Sequence, residues 1–129
     1  MLMISRRDME SLADPAQVLK AVERAFALYG EGKYDMPLRF SYDSGARNLL
    51  YMPCFTEGAM GTKILTVFPQ NREKGLPAID GLMLLNDPES GAPICVLDAK
   101  MLTQLRTGAV GAGMGAKALA KRDARSVCL

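Results

Sequence analysis

The chain has 129 residues, 49% of them apolar and 23% charged, which gives room for one domain with a modest core. A formal charge of +2, with no basic block longer than two residues, argues against nucleic acid as a partner. The absence of histidine excludes Ser-His-Asp and Cys-His triads and zinc sites built on imidazole. Proton chemistry falls to Lys, Asp, Glu, Tyr or Cys, or to groups outside this chain, and no metal site is expected. Cys54, Cys95 and Cys128 are widely spaced and form no C-x-x-C, a pattern that fits buried thiols in a reducing cytoplasm. The N-terminus turns charged at Arg6, unlike a signal peptide, and no apolar run approaches the roughly 18 residues of a membrane helix.

In chain order, Leu2 to Ile4 suits a short strand, and Ser5 with Asp8 resembles a capping box for a short helix through Leu12. A longer helix starts at Asp14-Pro15, cap and first turn, with Gln17 placed as in a capping box. Val18, Leu19, Val22, Ala25, Phe26 and Tyr29 form its apolar stripe, and Gly30 and Gly32 end it. After Pro37 the period becomes two. Leu38 to Tyr42 and Leu49 to Phe55 read as strands around Asp43-Ser44-Gly45, and Gly61 to Phe68 as a third. Pro69 to Pro77 is a loop long enough to be functional. Ala78 to Asn86 and Ala92 to Asp98 flank the turn Asp87-Pro88-Glu89-Ser90-Gly91. The expected class is α+β: N-terminal helices packed on an antiparallel sheet of about five to six strands, with a long C-terminal helix.

That last helix, Ala99 to about Arg122, contains Gly108, Gly111, Gly113 and Gly115. Gly111-x-Gly113-x-x-Ala116 fits the relaxed dinucleotide fingerprint, but the fingerprint needs a preceding strand, and Met101 to Thr107 has no β-branched apolar run. Interior glycines each cost about 1 kcal/mol against alanine, so several in one helix imply close packing by another backbone.

Three cations stand out. Lys63 lies mid-strand on the same face as Leu65 and Val67. Such a lysine either covers apolar surface at a sheet edge or points into a pocket as a charge for an anion. Arg39 opens a strand, and Arg106 flanks the apolar side of the last helix. If the three converge, they form a cationic pocket for a small carboxylic acid. Spacing alone does not show that they do. Asp87 and Glu89 sit in a turn, where hairpin chemistry explains them better than catalysis.

Two long stretches carry a family resemblance. Gly61-Thr62-Lys63-Ile64-Leu65-Thr66-Val67-Phe68-Pro69-Gln70-Asn71 followed by Gly75-Leu76-Pro77 resembles the ornithine cyclodeaminase/mu-crystallin family. So does Leu85-Asn86-Asp87-Pro88-Glu89-Ser90-Gly91-Ala92-Pro93 followed by Leu102-Thr103-x-x-Arg106-Thr107-Gly108-Ala109. The similarity runs in order from Leu2 to Leu129. It implies a two-domain NAD(P)-dependent enzyme whose first domain binds substrate and forms a homodimer through its sheet, and whose second is a Rossmann domain. On that reading residues 1–124 are the substrate-binding and dimerisation domain, and residues 125–129 begin the first strand of the dinucleotide-binding domain. Its glycine fingerprint and catalytic aspartate would lie beyond Leu129.

The resemblance assigns the substrate carboxylate to Arg39 and Lys63, substrate and cofactor together to Arg106, and the cofactor phosphates to Thr107. It implies NAD, with NADP as the variant, a small amino-acid or keto-acid substrate, and no membrane. The leading expectation is ornithine cyclodeaminase chemistry, in which L-ornithine gives L-proline and ammonia. Alanine dehydrogenase or ketimine reductase chemistry is the alternative, and the Arg106 to Ala112 run is slightly closer to the alanine dehydrogenase-like members. A non-catalytic mu-crystallin-like ligand-binding module is the reading from another class, and direct nucleotide binding by the glycine run is a third. One departure is Ala78, where family members often carry a cofactor-binding threonine. This chain alone is expected to be inactive, with one side of its glycine-rich helix uncovered and prone to association.

Overall fold

The computed structural model describes residues 1–126. The chain runs β1 (Leu2–Ile4), α1 (Arg6–Leu12), α2 (Pro15–Gly30), β2 (Tyr34–Asp35), β3 (Phe40–Ser44), β4 (Arg47–Thr56) and β5 (Ala59–Val67). A 3-10 turn (Pro69–Lys74) leads to β6 (Ile79–Asn86), β7 (Pro93–Asp98) and α3 (Ala99–Gly108). A π-helical segment (Ala109–Met114) then passes into α4 (Gly115–Leu119). The strands form one sheet in the order β1-β7-β6-β5-β4-β2, with β3 also paired to β4. The architecture is the expected α+β, and the sheet is antiparallel apart from β1, which runs parallel to β7 at one edge.

Local chemistry explains the helix starts. Ser5 and Asp8 close a reciprocal capping box on α1, and that bonding holds the Asp8 carboxyl below its ordinary pKa. Asp14 caps α2 by accepting from the Ala16 amide, with Pro15 in the first turn; Gln17 makes no capping bond. The Tyr29 ring at the end of α2 stacks on Tyr34 at 4.9 Å, tying the helix to β2, a two-residue strand that the alternation of the sequence did not announce. The Pro69–Pro77 loop is more ordered than its composition suggests. Its 3-10 turn ends at Gly75 in the left-handed region (φ 68), and Asn71 Nδ2 donates to the Pro77 carbonyl at 3.0 Å.

The C-terminal helix departs from expectation in two ways. It is helical from Ala99 only to Leu119, because beyond Leu119 the residues are mostly charged and have no apolar face to bury. Its middle is also widened, with the Gly115 amide bonding back to the Val110 carbonyl, a five-residue step. The close backbone packing anticipated for the glycines is not found: Gly113 instead makes room for the Leu19 side chain of α2, and Gly108 and Gly111 have open space around them. Arg125 and Ser126 carry no regular structure, and the remainder of the strand expected over 125–129 lies outside the described residues.

Register decides what each sheet face carries. Residues directly opposite across strands share a face, so Met52, Lys63, Met83 and Leu97 form one row, and Leu50, Leu65 and Gly81 the next. This face meets α3, and its Leu65, Cys95 and Leu97, with Ala99 at the helix start, are the buried apolar residues of the described chain. The opposite face carries Phe40, Tyr51, Ile64 and Leu82 in one row, with Tyr42, Phe55, Ile94 and Met3 around it. No helix covers it. Phe40 and Tyr51 pack on each other at 6.0 Å, yet Phe40 stays largely solvent-facing and Tyr51 partly so.

Candidate active site: a cation cluster between β5 and α3

Lys63 sits in β5, hydrogen-bonded to β4 on one side and β6 on the other. The strand is central, so the edge explanation for a lysine on an apolar face does not apply. Its row neighbours are Met52, Met83 and Leu97, none of which can solvate an ammonium. Desolvation accordingly pushes the Lys63 pKa below its ordinary value, and the positive charges of Arg106 and then Arg39 push it the same way. The structure therefore brings Arg39, Lys63 and Arg106 into one electrostatic neighbourhood. Among the described residues Lys63 forms no ion pair, and the cluster carries uncompensated positive charge.

Each cation is positioned by a different device. Lys63 is held by the two ladders around it. Arg39 precedes β3 and is exposed; the strand begins one residue later, at Phe40, so Arg39 lies outside the ladder. Arg106 depends on how α3 begins. Asp98, the last residue of β7, is also the helix cap and accepts from the Met101 amide at 2.6 Å, while Ala99 is fully buried. With no loop between strand and helix, the α3 axis is fixed at its root. Arg106 and Thr107 lie about 12 Å further along, two turns into the helix. Both are exposed, so a guanidinium and a hydroxyl at successive helix positions are each open to an anion or phosphate.

Other parts of the neighbourhood carried little sequence signal. Asn71 staples the 3-10 loop through Pro77, which places Arg72 and Ala78 beside α3 around a cavity of about 340 Å³. Lys100 and Thr103 of α3 line the same cavity. An asparagine between a proline and a left-handed glycine is the only hint that such a loop is built rather than loose. Gly111-x-Gly113-x-x-Ala116 follows a helix, not a strand, so it lacks the setting of a dinucleotide fingerprint. No group of three or more His, Cys, Asp or Glu comes together among the described residues, and none of the described helices is long and apolar enough to cross a membrane.

Known proteins are similar to this chain in sequence and in fold. A sequence model of the ornithine cyclodeaminase/mu-crystallin family matches residues 1–129. The alanine dehydrogenase of Archaeoglobus fulgidus is 41% identical over 95% of this chain and 38% of its own length. The solved Delta(1)-pyrroline-2-carboxylate reductase of Thermococcus litoralis, in complex with NADH and L-proline, superposes with a TM-score of 0.88. It is 38% identical over 95% of this chain and 39% of that one. An archaeal alanine dehydrogenase dimer with bound NAD gives a TM-score of 0.89 at 41% identity, over 95% of this chain and 38% of that one. The chain thus spans about two-fifths of the length of the relatives it matches. With the match running from its first residue to its last, the chain belongs to the ornithine cyclodeaminase/mu-crystallin family.

Proposed function

We propose that this chain is the substrate-binding and dimerisation part, residues 1–124, of an NAD(P)-dependent enzyme acting at the C–N bond of a small α-amino or α-imino acid. The observation that carries this reading is the desolvated Lys63 with Arg106 and Arg39 acting on it. A carboxylate entering the cluster relieves the mutual repulsion of the cations and accepts their hydrogen bonds together, and Arg106 adds a planar fork suited to two-oxygen capture. The substrate's other end is then presented away from the sheet.

Arg106 and Thr107 fit the edge of a cofactor site, being adjacent, exposed and of the chemistry that holds phosphate oxygens. A bound nicotinamide would supply hydride transfer; this chain's residues would fix the acid's orientation and exclude water from beneath it. Ala78 offers a methyl where the family often offers a hydroxyl, so cofactor affinity would rest more heavily on other contacts.

The bare sheet face supports a homodimer. A second copy covering Phe40, Tyr51, Leu82 and Ile94 would remove a row of exposed apolar side chains from water. A reducing cytoplasm belongs to the same reading, supported by the buried free thiol of Cys95. Among activities, alanine dehydrogenase or pyrroline-2-carboxylate reductase chemistry has the support of 41% and 38% identity to enzymes so described. Conversion of ornithine to proline is the second reading, supported by the family description and by 26% identity to a solved structure described as a probable ornithine cyclodeaminase.

The test is calorimetric titration of the chain with pyruvate and L-proline, alongside Lys63→Met and Arg106→Met. Each substitution should weaken carboxylate binding by about tenfold or more, the scale of a lost charged hydrogen bond. Equal affinity in all three proteins would refute the cluster as the carboxylate site. The enzyme containing this chain should reductively aminate pyruvate or reduce pyrroline-2-carboxylate with NADH. Ammonia release from ornithine in place of both would favour the second reading.

A further inference from the structure

The cavity between the 3-10 loop, β6 and α3 adjoins the cation cluster without being part of it. Leu65 on its floor is two residues along β5 from Lys63 and on the same face, roughly 7 Å away. Thr103 on its wall is one helical turn from Arg106, with roughly 5–6 Å between their Cβ atoms. Two more cations, Arg72 and Lys100, line this cavity, and no carboxylate does. Neither takes part in an ion pair among the described residues. Thr103 adds the one buried side-chain polar atom without a hydrogen-bond partner among those residues. Two cations without a carboxylate partner and an unsatisfied hydroxyl thus share one cavity, with the Gln104 amide as the other polar side chain on its wall.

We propose that this cavity is a second anion subsite, taking the distal carboxylate of a substrate whose α-carboxylate lies on Arg39, Lys63 and Arg106. This rests on the carboxylate reading of the cluster and extends it: beside the monocarboxylates that the cluster alone would hold, the site favours an acidic α-amino or α-keto acid. The loop staple at Asn71 acts here as a specificity device, because it holds Arg72 over the cavity. The recognised chemistry is an anionic oxyacid group, which a free phosphate also offers, so the test separates the two sources.

The chain is titrated with 2-oxoglutarate and with 2-oxovalerate, which share a five-carbon skeleton and differ in the distal carboxylate, and separately with inorganic phosphate. The dicarboxylate should bind about tenfold more tightly, the scale of one added charged contact. Arg72→Ala should reduce that advantage to less than about twofold while leaving 2-oxovalerate unchanged, and Lys100→Gln should act in the same direction. Phosphate competition with 2-oxoglutarate should weaken in Arg72→Ala, whereas its competition with 2-oxovalerate at Arg106 should not. Equal affinity for the two acids overturns the subsite, as does an Arg72→Ala loss shared by both. Phosphate binding that depends on Arg72, without a dicarboxylate preference, overturns the substrate assignment. Should 2-oxovalerate bind in a Lys63-dependent way with no dicarboxylate advantage, this inference fails and the cluster stands. Should neither acid bind, both fail.

Discussion

The two faces of the sheet are built from the same strands and solve opposite problems. The face under α3 has buried apolar side chains, two close-packed glycines and one lysine; the other has an aromatic row and no cover. The covered face makes a charge expensive to hold and therefore useful as a ligand-binding group. The bare face is expensive to leave in water and therefore suited to a partner. Alternation along β4 and β5 thus separates the face that holds the lysine from the face left open, one residue at a time.

The severest way to break the covered face is Gly81→Ala. A methyl there would run into the Ile64 carbonyl oxygen and the Leu65 Cα, both backbone atoms that cannot step aside. A loss of about 3 kcal/mol or more is expected, read as a large fall in Tm or loss of cooperative unfolding. On the bare face, Tyr51→Glu places a charge at the centre of the aromatic row, next to Phe40. If a second copy covers that row, the dimer dissociation constant measured by sedimentation should rise about 100-fold, with secondary structure unchanged.

A subtler test uses pH. Lys63 gives up its proton in the folded chain below 10.5, its unfolded value, so anion binding should fall as pH rises through that lowered pKa. Stability should move the other way. Between the folded and unfolded values the unfolded chain binds more protons, so the contribution of Lys63 to folding becomes more favourable as pH climbs. Lys63→Met should abolish both trends, and unchanged slopes would place the charge outside the covered face. The smallest effects belong to the helix layer. Gly113→Ala should cost about 1 kcal/mol because Leu19 must move, while Gly111→Ala, with open space around it, should be neutral or stabilising by a few tenths. Thermal melts distinguish them, and equal shifts would remove the packing role assigned to Gly113.

Much of this layout was legible in the residues. Alternation placed Lys63 with Leu65, and Ser5-Asp8 and Asp14-Pro15 announced two helix starts, because caps and period-two patterns are local. Convergence of Arg39 with Lys63 and Arg106 was not legible, since it depends on β3 folding back along β4 and on α3 leaving β7 without a loop. The parallel pairing of β1 was hidden for the same reason: Leu2 meets Cys95 across most of the chain. The cavity around Arg72 and Thr103 was hidden by a loop whose polarity looked like simple exposure.

The widened stretch at Ala109–Met114 has a consequence of its own. One extra residue in a helical ladder turns everything after it by about 100° relative to a regular helix. The segment is a phase shift in the rod, and it is in this shifted phase that Gly113 meets Leu19 and Lys117 reaches Glu23 on α2. A one-residue deletion there would restore regular winding and point both contacts elsewhere. The direction in which the far end of the rod faces is therefore set by a count of residues more than by the identity of any one of them.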